Sequence, residues 1–217
     1  MNIEQARYNM VEQQIRTWDV LDQDVLDLLF KIRREDFVPE SRLAMAFVDM
    51  EIPLGHGQAM WTPKLEARVI QELALRPTDR VLEIGTGSGY LTALLAAEAA
   101  EVVSVDIVPE FTASATQRLR AHGVHNVTLH TGDAARDWPD EAGFDVIVMT
   151  GSTPLLSDAF SRRLKVGGRL FAIVGEAPVM QGLLFTCTAP GATRNVVLFE
   201  TLVAPLLNAP HPVAFVF

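Results

Sequence analysis

The residues best placed to do chemistry are a run of glycines with one acidic side chain just ahead of it and two further along the chain behind it. Gly85-Thr86-Gly87-Ser88-Gly89 carries glycine at alternate positions, directly after the apolar run Val81–Ile84 and before Tyr90–Glu98, whose composition favours helix. Strand, glycine turn and helix together bring a backbone close to a ligand and aim helix N–H groups at it. Glu83 puts a carboxyl near the end of that strand. Asp106 follows about twenty residues after the first glycine, where a strand-end carboxylate accepts both hydroxyls of a ribose; it also suits a helix cap. Gly132-Asp133-Ala134 closes a third apolar run, where the carboxylate suits the amino group of adenine and the glycine leaves room for the ring. A plain turn is the alternative there. Thr150-Gly151-Ser152 closes a fourth run and is expected beside the glycine turn, facing the reacting group. Histidine and cysteine offer little. His56 suits packing or a backbone hydrogen bond, His122, His125 and His130 flank the third strand, and Cys187 lies in a buried strand with no supporting base.

Elements of two kinds must position these groups. From Arg80 onward, apolar runs alternate with helical stretches. Strands are expected at Val81–Ile84, Glu101–Asp106, Val127–His130, Phe144–Met149 and Arg169–Val174, with helices at Tyr90–Glu98, Pro109–Ala121 and Leu155–Leu164. This alternation predicts an α/β fold, a mostly parallel sheet with helices on both faces and a crevice at the strand carboxyl ends. Gln181–Thr188 and Asn195–Val203 are joined by a short turn and are expected to pair antiparallel. Ahead of the sheet, Glu4–Leu29 shows two apolar stripes at helical spacing, with Asp19 or Asp22 as a cap for the second. Ala46–Pro63 holds glycines and prolines and reads as a functional loop too irregular for a core element. Thr62 and Pro63 suit the cap and first position of a helix over Lys64–Leu75. The expected division is an N-terminal helical extension and active-site loop, 1–63, and a ligand-binding domain, 64–217, forming one compact unit.

Composition narrows the partners. The 217 residues suffice for a full core without metal or disulfide support. A formal net charge of −9 disfavours a nucleic-acid partner, which needs a basic face. Arg33-Arg34 is expected to be a solvated helix end. One cysteine permits no disulfide framework and no zinc spacing, so no metal site is expected. With a polar N-terminus and no apolar run of membrane-spanning length, the chain reads as cytoplasmic with no membrane partner.

Several stretches carry a family resemblance. Arg7–Ile15 (RYNMVEQQI), Arg34–Pro39 (REDFVP), Ala46–Gln58 (AFVDMEIPLGHGQ), Val81–Tyr90 (VLEIGTGSGY), Asn126–Asp133, Phe144–Thr150 and Lys165–Gly175 resemble the protein-L-isoaspartate O-methyltransferase family of S-adenosylmethionine (SAM) dependent enzymes. The glycine motif marks the superfamily; the loop ending GHGQ points to this family. The resemblance implies a Rossmann-like SAM-methyltransferase fold, SAM as methyl donor, S-adenosyl-L-homocysteine as product, and the carboxylate of an isoaspartyl residue in a damaged protein or peptide as acceptor. The expected cofactor-binding set is Gln58, Ala59, Met60, Glu83, Gly85, Thr86, Gly87, Ser88, Asp106, Ile107, Gly132, Asp133, Ala134 and Thr150. Trp61, Thr62 and Thr150 are the expected acceptor-positioning residues. One departure stands out. Where the family has Thr-Ile-Ser after GHGQ, with the serine implied to hold the acceptor carboxylate, this chain has Ala59-Met60-Trp61. Losing a hydrogen bond to a charged group costs about 1.5–3 kcal/mol. Three further readings therefore stand beside isoaspartyl repair. They are a same-fold methyltransferase for another, small or aromatic acceptor with Trp61 as pocket wall, a SAM-binding module without turnover, and a nicotinamide oxidoreductase. The last is disfavoured by a third glycine one residue earlier than the G-x-G-x-x-G turn requires.

Overall fold

The structure, a computed structural model, describes residues 2–212. A seven-stranded sheet forms its centre, in the order β5-β4-β3-β6-β7-β8-β9. Strands β3 (Arg80–Ile84), β4 (Glu101–Asp106), β5 (Val127–Thr131), β6 (Phe144–Thr153) and β7 (Leu164–Glu176) run parallel, and β8 (Val179–Ala189) and β9 (Ala192–Thr201) continue the sheet antiparallel. Two short strands, β1 (Ile52–Gly55) and β2 (Gln58–Met60), pair separately as a hairpin.

Alternation along the strands explains why both sheet faces are covered. Successive side chains point to opposite faces. Val81, Val102, Val146 and Phe171 thus join one apolar cluster, while their neighbours Leu82, Val103, Ile147 and Leu170 join the other. The first face carries α3 (Pro63–Leu73), α4 (Tyr90–Glu98), α5 (Pro109–Ala121) and the N-terminal extension, whose Met10, Ile15, Leu26 and Leu29 belong to the same cluster. The second face is covered by α6 (Asp158–Arg163) through Phe160, with Trp138 and Leu206 packed beside it. In the extension, Asn2 caps α1 (Ile3–Asn9) and Asp22, rather than Asp19, caps α2 (Gln23–Lys31). Asp19 instead ends the first helical run in the left-handed region, at φ 59°.

Four expectations are corrected. Ala46–Pro63 contains the β1–β2 hairpin, and its Ile52, Met60 and Trp61 are buried. The hairpin closes through Gly55, His56 and Gly57, all at positive φ. β6 runs through Thr150-Gly151-Ser152 instead of stopping at Met149, because the C-terminal segment pairs with Ser152: its N–H donates to Ala204 O (3.0 Å), and Leu206 N–H donates to its carbonyl (2.9 Å). The helix placed at Leu155–Leu164 shortens to Asp158–Arg163 under a Ser157 cap. Arg34 is no solvated helix end. Its side chain is fully buried, paired with Glu66 and bonded to the carbonyls of Ala46 (3.1 Å) and Trp61 (2.5 Å), because its partners lie on segments distant in sequence.

Candidate active site

The carboxyl ends of β3, β4, β5 and β6 meet in one solvent-open cleft. Gly85, Gly87, Asp106, Asp133, Thr150 and Leu206 are among its walls. A smaller cavity shares Leu54, Ala59, Gly85, Gly87 and Thr150 with it and is lined further by Met60, Trp61 and Glu66. Among the described residues no lysine, arginine or histidine lines either space, whereas Asp106, Asp133 and Glu66 do.

The turn is shaped by backbone geometry only glycine adopts freely. Gly85, Gly87 and Gly89 sit at φ 99°, 51° and 84°. A Cβ at Gly85 would fall 2.0 Å from Thr150 Oγ1, so the approach of β3 to β6 also requires glycine. Thr150 holds the turn from the other side, its hydroxyl placed to donate to Ile84 O (3.0 Å) and Gly85 O (2.8 Å). Beneath the turn, Glu83 is fully buried and lines neither cavity. Its Oε2 accepts from Thr92 Oγ1 (2.5 Å) and Ser104 Oγ (2.6 Å), and Ser104 in turn bonds Thr86 Oγ1 at 2.6 Å. Burial pushes the Glu83 carboxyl up to about 8. Its place is that of a support under the turn.

Asp106 ends β4 against the turn. One carboxylate oxygen accepts the N–H of Gly87 (2.8 Å) and the other the N–H of Val108 (2.9 Å). Burial raises its pKa, opposed by those backbone donors. Asp106 therefore ties the end of β4 to the glycine turn, and α5 begins after Val108 without the side-chain cap the sequence also suited. At the next strand, Asp133 accepts from Ala135 N–H (3.0 Å) and from Asn208 Nδ2 (2.9 Å), and Gly132 lies against the Trp138 ring.

The expected residues divide clearly. Gln58, Ala59, Gly85, Gly87, Asp106, Ile107, Gly132, Asp133, Ala134 and Thr150 line the main cleft; Met60, Trp61, Thr86 and Ser88 line the smaller one. Thr62 lines neither, because its hydroxyl caps α3 by accepting from Leu65 N–H (3.4 Å). Trp61 is buried, edge-on to Phe171 with centroids 6.2 Å apart. Sequence reasoning missed Leu54, Phe111, Glu66, Leu206 and Leu207. The hairpin tip and α5 also meet at the cleft mouth, where His56 packs edge-on against Phe111 at 5.6 Å and lies 4.0 Å from Glu110.

Comparison with known proteins accounts for this arrangement. The family model described as protein-L-isoaspartate (D-aspartate) O-methyltransferase matches residues 5–196. A protein-L-isoaspartate O-methyltransferase of Methanoculleus marisnigri is 38% identical over 93% of this chain and 91% of its own length. One from Myxococcus xanthus is 42% identical over 76% of this chain and 78% of its own. Among solved structures, a Plasmodium falciparum chain described as a protein-L-isoaspartate O-methyltransferase in complex with S-adenosyl-L-homocysteine superposes with a TM-score of 0.77. It covers 91% of this chain and 96% of that one at 19% identity, a likeness of fold. On the breadth of the family match and the identity of these relatives, the chain belongs to the protein-L-isoaspartate (D-aspartate) O-methyltransferase family.

Proposed function

We propose that the protein methylates the carboxylate of isoaspartyl residues in damaged proteins or peptides, using SAM as donor. The observation that carries this reading is the cleft itself: a glycine turn and two strand-end carboxylates converge on one space that no cationic side chain lines. A ligand carrying sulfonium and ammonium groups suits such walls. Gly85–Gly89 would cradle it, Asp106 would take the ribose hydroxyls, and Asp133 the adenine amino group. Extension 1–63 and domain 64–217 act as one unit in this reading, since the hairpin of the first closes over the turn of the second. A cytoplasmic location belongs to the same reading, as the single Cys187 leaves no intramolecular disulfide to form.

Bound SAM supplies an electrophilic methyl group on a cationic sulfur, which an acceptor carboxylate displaces in line. A carboxylate is already ionised at neutral pH, so the chain needs no general base. Its work is alignment and exclusion of water. Thr150 and Glu83 hold the turn, Leu54 and the hairpin cover it, and Trp61 closes the inner wall. Thr150 spends its hydroxyl proton on Ile84 O and Gly85 O, and Thr62, which keeps its proton while accepting from Leu65 N–H, lines neither cavity, so neither is placed to hold the acceptor carboxylate. The test is transfer of radiolabelled methyl from SAM to an isoaspartyl peptide, against the same peptide with ordinary aspartate. Base-labile label on the first alone is expected. No label on it, with label on another acceptor from a cell extract, would replace isoaspartyl repair by the other-acceptor reading.

A further inference from the structure

Glu66 is a carboxylate in an unusual position. It sits in the first turn of α3, is 2% exposed, and lines the small cavity under the glycine turn. Only one of its oxygens is engaged, by the fully buried Arg34, which also holds the carbonyls of Ala46 and Trp61 and lies 5.4 Å over the Tyr90 ring. Among the described residues no hydrogen bond reaches Oε1, which leaves the carboxylate, on the wall of the cavity, with acceptor positions open. The cavity is also lined by Ser88, Thr86, Met60, Trp61 and Leu91, and it shares Gly85, Gly87 and Thr150 with the main cleft.

We infer that Glu66 is a ligand-binding residue: its free oxygen accepts the α-ammonium of the amino-acid end of the bound nucleoside, and Arg34 fixes its orientation. This rests on the cleft being the SAM site. A primary ammonium offers donors to the open oxygen, and the charge pair forms in a space shielded from water, where such hydrogen bonds are strong. Arg34 spans Ala46, Trp61 and α3, so this one arginine would tune cofactor affinity without touching the cofactor. Arg34 is thus a positioning residue, Glu66 the contact.

Calorimetry of the full chain with three ligands tests this: S-adenosylhomocysteine, its analogue lacking only the amino group, and methylthioadenosine, which lacks the whole amino-acid end. The wild-type protein is expected to bind the desamino analogue at least tenfold more weakly than S-adenosylhomocysteine. Glu66→Gln should lose at least tenfold for S-adenosylhomocysteine, yet hold the desamino analogue and methylthioadenosine within twofold. Should that variant fail to fold, Glu66→Asp, which keeps the charge on a shorter arm, is expected to show the same selective loss. Wild-type indifference to the amino group overturns the inference, as does an equal loss for all three ligands in the variant. If the wild-type protein binds none of the three, the fault lies with the SAM reading itself, a result separable from the others.

Discussion

Gly85→Ala is the most demanding test of how the turn is held. At φ 99°, alanine is strained by about 1–2 kcal/mol. Its Cβ would stand 2.0 Å from Thr150 Oγ1, so Thr150 must rotate and give up its bonds to Ile84 O and Gly85 O. The single Thr150 hydroxyl proton is shared between those two carbonyls, a bond worth about 1 kcal/mol, giving a loss of about 2–3 kcal/mol in all. Thr150→Ala alone forfeits the same bond and should cost about 1 kcal/mol. Because both changes break that one bond, the double variant should be about 1 kcal/mol more stable than the sum of the singles implies. Urea unfolding of the four proteins measures the cycle, and calorimetry with S-adenosylhomocysteine should show at least a tenfold loss for Gly85→Ala. Additive stabilities, or unchanged affinity in Gly85→Ala, would refute the claim that Thr150 buttresses this glycine.

Asp106→Ala should weaken S-adenosylhomocysteine binding by about 1.5–3 kcal/mol, as charge-assisted hydrogen bonds are removed; unchanged calorimetric affinity would place the ribose elsewhere. Glu83 titrates near 8 in the fold, above its unfolded value, so the native state holds the extra proton between those limits. Its contribution is full below about pH 4.3 and is lost as pH rises toward 8, so Glu83→Gln should flatten the fall in melting temperature across that window. With no cation lining the cleft, an acceptor carboxylate should bind well only when the ligand supplies positive charge. Opposite charges 4 Å apart gain about 4 kcal/mol at a surface-like dielectric. An isoaspartyl peptide is therefore expected to bind at least tenfold tighter beside the cationic amine analogue sinefungin than beside neutral S-adenosylhomocysteine, and equal affinities would contradict this electrostatic account.

What could be read from the sequence followed from local signals. Val81–Ile84, the alternate glycines and Asp106 form a contiguous strand-turn-helix-strand unit, so each piece predicts its neighbour. The parallel sheet and most of the cleft wall followed from it. The hairpin was legible in principle, because Gly55-His56-Gly57 is a turn between two short extended runs, but prolines and a lone tryptophan obscured it. Arg34 misled because its partner Glu66 lies 32 residues away and only the packed extension brings them together. Leu206 and Leu207 reach the cleft by pairing with Ser152, and nothing local to them signals that return. Trp61 was expected at the acceptor; its ring does line the inner cavity but is anchored on Phe171, a contact set by β7.

The most direct measurement is a crystal structure of the protein with S-adenosylhomocysteine and an isoaspartyl peptide. The account predicts the ribose on Asp106, the adenine between Gly132 and the Leu206 segment, the thioether beside Thr150, and the peptide carboxylate in line with that sulfur. A nucleoside bound outside the Gly85–Gly89 turn, or a peptide carboxylate held away from the sulfur, would contradict it.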